Sequence, residues 1–170
     1  MLTIIGIILV LFACAAFALK RLLLKTNRIE KTRQIKRALS LLAERMEFTS
    51  RPLAELFEQL SKEDEAKDFF AMLMTGLKDG KNRSLSEIWG EVLEKYATGE
   101  SLSLEVVSVL SDVGSNLGKM SPKGELEFLH IADNQLEKEI SKLEKDFEKN
   151  SGALKSSGIL VGILIVILFL

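Results

Sequence analysis

The sequence predicts an all-α protein: a compact bundle of about six helices set between an N-terminal and a short C-terminal transmembrane helix. Three observations carry that prediction. Between the two ends, apolar residues recur at three- and four-residue spacing and no segment alternates as a strand would. Serine, proline and glycine break this pattern at regular intervals. Both ends of the 170-residue chain are long uncharged apolar runs.

The first run, residues 1–19, carries no charge over nineteen residues, about the number a helix needs to cross the hydrocarbon core at ~1.5 Å rise per residue. A cleaved secretory signal competes, because Ala13, Ala15, Ala16 and Ala18 are small, but the basic n-region of a signal is missing. Leu11-Phe-Ala-Cys14 also invites a lipoprotein reading, against which stand Phe12 and the lack of upstream Lys or Arg. Cys14 is the single cysteine, so no intrachain disulfide can form.

Net charge is −1, yet the charges are segregated. Residues 20–37 hold Lys20, Arg21, Lys25, Arg28, Lys31, Arg33, Lys36 and Arg37 against Glu30 alone, and the chain from Ala38 onward is acidic on balance. A basic block beside a span marks the cytoplasmic side. Lys20, Arg21, Lys25 and Arg28 are the candidate contacts to anionic headgroups, each contributing about 1 kcal/mol. Nucleic acid is excluded as a partner, since the block adjoins a span and lacks interleaved aromatics.

The final run, Ser156 to Leu170, is uncharged over fifteen residues, about 22 Å of helix against a ~30 Å core. Counting from Gly152 gives nineteen residues with Lys155 included, and a lysine there can snorkel to the interface. Gly158 and Gly162 form a GxxxG pair that either lets another helix approach closely or faces lipid. The resulting division is a transmembrane helix at 1–19, a basic juxtamembrane helix at 20–37, a cytoplasmic bundle at 38–151 and a second transmembrane helix at 152–170.

Within the bundle, Ile35, Leu39, Leu42 and Met46 place the first helix's apolar face, with an end near Phe48. Thr49-Ser50-Arg51-Pro52 predicts a restart with a hydroxyl cap and proline in the first turn, burying Leu53, Leu56, Phe57 and Leu60. Ser61 is expected to cap the next helix, with Glu63, Asp64 and Glu65 as its acidic opening and Asp79-Gly80 as its stop. Those three acids with Asp68 are also a candidate acidic docking patch, although an acidic opening suits the helix dipole by itself. Ser84-Leu-Ser-Glu87 reads as a capping box before Leu85, Ile88, Trp89, Val92, Leu93 and Tyr96, with a stop at Thr98-Gly99. Ser101 or Ser103 opens a helix closed by Leu117-Gly118. Ser121-Pro122-Lys-Gly-Glu125 opens the last soluble helix, whose stripe is Leu129, Ala132, Leu136, Ile140, Leu143 and Phe147.

Catalytic signatures are lacking. The chain has one histidine, His130, with Glu127 and Asp133 three residues to either side; such a histidine on a charged helix face is ordinarily solvated, so no metal is expected. No P-loop, GxSxG or HExxH occurs. The expectation is a protein that is not an enzyme and carries no cofactor.

These landmarks, in this order, resemble the stage III sporulation protein AB family of endospore-forming bacteria: an N-terminal span with a basic helix, Arg51-Pro52-Leu53-Ala-Glu-Leu56, Ser86-Glu-Ile-Trp89, Asp112-Val-Gly-Ser-Asn-Leu117-Gly118, and a long charged helix ending in a short span. The resemblance covers nearly the whole chain and rests on the order of the motifs, none of which is diagnostic alone. It departs at Ser121–Glu125, where the family carries a polar Asp and Gln pattern, and at Ser156-Ser157-Gly158, in place of a Leu-Gly entry to the final span. The resemblance implies a bundle similar to the cytoplasmic domain of the type II secretion inner-membrane platform protein. It further implies a place in a transenvelope complex of the mother-cell membrane that supports forespore development, with a cytoplasmic ATPase and other membrane subunits as partners. Function is accordingly expected to be a membrane scaffold; a sensor whose cytoplasmic bundle responds to a ligand is the alternative.

Overall fold

The computed structural model describes the backbone of residues 2–49, 51–63, 66–80, 83–100 and 102–169, and within those ranges the side chains of Lys20 and of residues 23–149. Six helices follow one another: α1 (Leu2–Phe48), α2 (Leu53–Leu60), α3 (Lys67–Asp79), α4 (Leu85–Glu100), α5 (Leu104–Asn116) and α6 (Pro122–Phe169). No strand occurs among the described residues, so the fold is the all-α bundle the spacing predicts.

The chain divides into two units. One comprises Met1–Asn27 and Lys142–Leu170, the outer parts of α1 and α6; the other is Arg28–Ser141. In the first unit Lys20, Leu23, Leu24 and Lys25 are exposed. The side chains of 1–19 and 152–170, the expected spans, lie outside the described residues. Among those that are described, no helix is long and apolar enough to cross a membrane.

The second unit is organised around Trp89. Its ring packs edge-on to Phe69 at 4.9 Å between centroids, tilted to Phe57 at 6.1 Å and edge-on to Phe70 at 6.5 Å, with Tyr96 against Phe69 at 5.4 Å. The indole nitrogen donates to the Leu110 carbonyl of α5 at 2.8 Å, so the largest core side chain leaves no polar atom unpaired. Around it close Ile35, Leu39 and Leu42 of α1, Leu56 and Leu60 of α2, Leu73 of α3, Val106 and Leu110 of α5, and Leu129 and Leu136 of α6, all buried. Each helix contributes the stripe its period dictates. Leu53, Leu77 and Leu85, at the helix ends, are only partly buried against this core.

The helix boundaries hold and correct the sequence reading in turn. Ser84 and Glu87 exchange bonds as a capping box: the Glu87 amide donates to Ser84 Oγ at 3.3 Å, and the Ser84 amide to Glu87 Oε2 at 3.0 Å. Of the two serine candidates, Ser103 caps α5, accepting from the Val106 amide at 3.3 Å. Ser121 accepts from the Gly124 amide at 3.3 Å with Pro122 opening α6, and Gly118 takes a φ of +79°, as a helix-ending glycine should.

Three expectations fail. Thr49 does not cap α2: its hydroxyl donates back to the Arg45 carbonyl at 2.7 Å and finishes α1, while Pro52 holds the extended N-cap position (ψ 143°) ahead of the first turn. Ser61 does not cap α3. Its hydroxyl donates to the Glu58 carbonyl at 2.7 Å and closes α2, and Ala66, left-handed at φ 50°, delays α3 to Lys67. Glu63 therefore stands before the helix and Asp68 is the acid of its first turn. Finally, α4 passes through Gly99 to Glu100, and Glu100 pairs with Lys31 of α1 at 3.2 Å.

Candidate interaction surfaces

Side chains that could bind something fall into four groups. The basic block is the first, and the structure splits it. Lys20 and Lys25 are exposed in the outer part of α1, and neither makes an ion pair with another described residue; Arg28 is half-buried where the bundle begins. Arg21 lies outside the described side chains. The bundle half of the block is spent internally. Lys31 binds Glu100, Arg37 binds Glu30 at 3.1 Å, and Lys36 reaches Asp133 at 3.4 Å and Glu137 at 3.3 Å on α6. Burial works against the Lys36 ammonium, but Glu137 and Asp133 outweigh it and hold its pKa above the usual lysine value. Lys31 and Lys36 fasten α1 to α4 and α6, a use that the linear charge pattern does not disclose because their partners lie far along the chain, while Arg37 pairs within α1.

The candidate acidic patch is the second group. Glu63 accepts from the Arg45 guanidinium at 2.7 Å, so its charge is matched within the bundle. Asp68 is exposed at the start of α3. Asp64 and Glu65 lie outside the described residues. Asp68 and Glu100 both act on Tyr96, whose hydroxyl is pushed up to about 12, first by burial and then by these two carboxylates.

Buried carboxylates form a third group that sequence reading missed. Glu125, expected only as an acid near a helix start, is buried and accepts from the Gly118 amide at 2.7 Å. It thereby ties the turn after α5 to the first turn of α6. Glu139, also buried, accepts from Ser103 Oγ at 3.0 Å, so one hydroxyl serves both the α5 cap and α6. Their placement in a Lys/Glu-rich helix reads as solvated, and nothing local marks them as different.

The fourth feature is an open groove of about 500 Å³ between α3 and α4. Ile88 and Val92 rise from α4 against Met72 and Gly76 of α3. Gly76 is required by the closeness of the helices, since a Cβ there would lie 2.7 Å from Ile88 Cγ2. On the α4 side, Glu91 accepts from Arg83 at 2.6 Å and from Lys95 at 3.2 Å; those two bonds, Arg83's first, hold its carboxyl below the usual range. Asp79 edges the α3 side.

His130 is exposed on α6, and no group of three His, Cys, Asp or Glu side chains able to hold a metal occurs among the described residues. Gly158 and Gly162 lie in the helical backbone of α6, but their surroundings are outside the described residues.

Comparison with known proteins agrees with this architecture. A solved structure of stage III sporulation protein AB superposes with a TM-score of 0.64 at 22% identity, covering 72% of this chain and 97% of that one; at this identity it speaks for the fold. Stage III sporulation protein AB of Bacillus subtilis (strain 168) is 24% identical over 172 residues, with both chains covered fully. The family model of stage III sporulation protein AB matches residues 3–170. With the match running through the terminal helices as well as the bundle, the chain belongs to the stage III sporulation protein AB family.

Proposed function

We propose that the chain is a non-enzymatic platform subunit of the sporulation transenvelope complex, anchored in the mother-cell membrane facing the forespore, whose cytoplasmic bundle docks an ATPase and other subunits. The observation that carries this reading is the continuity of the first and last helices. α1 and α6 are each one unbroken helix that includes part of the Arg28–Ser141 unit and one of the two apolar terminal stretches. Lys20 and Lys25, exposed beside Leu23 and Leu24, suit the headgroup region at the inner end of the first span.

Packing between α1, α3 and α5 supports a scaffold over a ligand sensor there. A sensor pocket encloses several hundred Å³. The void enclosed by Ile35, Ala38, Phe69, Phe70 and Leu110 is about 10 Å³, room for no more than one water.

The test is co-purification. Full-length protein solubilised from sporulating cells should bring down the cytoplasmic ATPase of the complex, and a His130→Ala strain should sporulate as wild type. Absence of the ATPase from the wild-type complex would end the docking reading; a sporulation block in the His130→Ala strain would reopen a metal or catalytic role.

A further inference from the structure

The unit of Met1–Asn27 and Lys142–Leu170 carries two large apolar side chains that its own protein atoms leave uncovered. Leu23 is 69% exposed and Leu24 54%, whereas Leu143 and Phe147, on α6 of the same unit, are half-buried. The other exposed large apolar side chains among the described residues, Phe48, Leu104, Met120 and Ile131, stand singly along the chain, as surface residues ordinarily do. Leu23 and Leu24 stand together. On a helix they share a face with Lys20, one turn before, and Asn27, one turn after, and all of these are exposed. Because α1 is one helix from Leu2 to Phe48, position along it measures depth. Leu24 lies five residues past the uncharged run 1–19, about 7 Å at a rise of ~1.5 Å per residue. Helical side chains lean toward the N-terminus, here toward that run, so the surface the leucines cover lies about one residue closer to it. The distance matches one headgroup layer, about 5–7 Å when a ~30 Å hydrocarbon core is taken from a bilayer of ~40–45 Å.

We infer that Leu23 and Leu24 are lipid-contacting residues, seated at the junction of headgroups and acyl chains, so that the cytoplasmic boundary of the bilayer falls between Leu24 and Asn27 rather than at Leu19. The flanking chemistry fits the bilayer as occupant. Lys20 precedes the leucines and Lys25 follows them, both exposed, and an anionic lipid surface attracts cations at this level. Lys20, a turn deeper, keeps its ammonium among the headgroups by running its stem along the helix. Asn27 then ends the apolar face with an amide. A second copy of the chain fits less well, because a symmetric contact through this face would set the lysines of one copy against those of the other. The inference rests on the membrane anchoring proposed above and adds to it the depth at which α1 leaves the lipid.

Fluorescence quenching tests it on the full-length protein in nanodiscs of mixed phosphatidylglycerol and phosphatidylcholine. In a Cys14→Ser background, Leu23→Cys, Leu24→Cys and Lys119→Cys, the last in the turn between α5 and α6, each supply the single thiol for an environment-sensitive fluorophore. All three positions are exposed, so the variants should keep the wild-type thermal melt. At 23 and 24, lipid spin-labelled near the glycerol should quench the emission and aqueous iodide should not. The spectra there should be blue-shifted from that at 119, where iodide alone should quench. Iodide quenching at 23 and 24 equal to that at 119 overturns the inference. Shielding from iodide without quenching by the labelled lipid overturns it as well, since protein, a second copy included, then covers the face. An alkaline carbonate wash of cell membranes separates this inference from the reading it rests on. Release of the wild-type chain would end the anchoring and the inference together, while retention with iodide-accessible labels ends the inference alone.

Discussion

Gly114 is where the bundle is least forgiving. A Cβ at that position would lie 2.0 Å from Trp89 Cδ1 and 2.2 Å from Cγ, and the indole cannot retreat because its nitrogen is fixed to Leu110. Gly114→Ala should therefore destabilise by about 3 kcal/mol in denaturant titration, an overpacking penalty well above that of an exposed helix glycine such as Gly99. The same core sets an alkaline limit. Tyr96 is 4% exposed and its hydroxyl titrates near 12 instead of near 10, so the folded state holds a proton that the unfolded state releases between those values. Its stabilisation is complete below pH 10 and is lost as pH rises toward 12, a change of about 2 kcal/mol. Because the chain has one tyrosine, its ultraviolet absorbance titration reads this group alone, and Tyr96→Phe should flatten the fall in stability across that window. That Trp89 and Tyr96 are core was legible from helical spacing. That Gly114 exists to receive the indole was not, since the two are twenty-five positions apart and meet only in the packed bundle.

Helix starts and stops divide by whether their cause is local. The Ser84–Glu87 box and the Ser121-Pro122 opening depend on bonds within four residues and the αL glycine at 118 on its own backbone freedom, and the sequence showed them. Ser61 misled because its hydroxyl had two local uses, closing α2 or opening α3, and the turn at Ala66 decided for the first. Glu100, the residue of α4 beyond Gly99, has its partner Lys31 on another helix. Ser103 joins both kinds of cause, capping α5 while donating to the buried Glu139 of α6. Ser103→Ala should thus cost more than an isolated cap: about 2 kcal/mol, against about 1 for Ser84→Ala, in paired thermal melts.

At the scale of the molecule, the charge asymmetry of the sequence resolves into two jobs. The outer lysines, Lys20 and Lys25, are exposed, while Lys31 and Lys36 clamp α1 to α4 and α6. A linear count reads all of them as an orientation signal, because ion pairing across some seventy to a hundred positions leaves no local mark. The fold class and the order of the helices were legible, since amphipathic period and punctuation are local; the groove was not, since it arises from how two helices approach. The platform account depends above all on the bundle facing the cytoplasm. The most direct measurement replaces Lys119 by cysteine in a Cys14→Ser background, where it is the single thiol, and exposes intact cells to a membrane-impermeant thiol reagent. The account predicts no labelling until the cells are lysed; labelling of intact cells would place the bundle outside and contradict it.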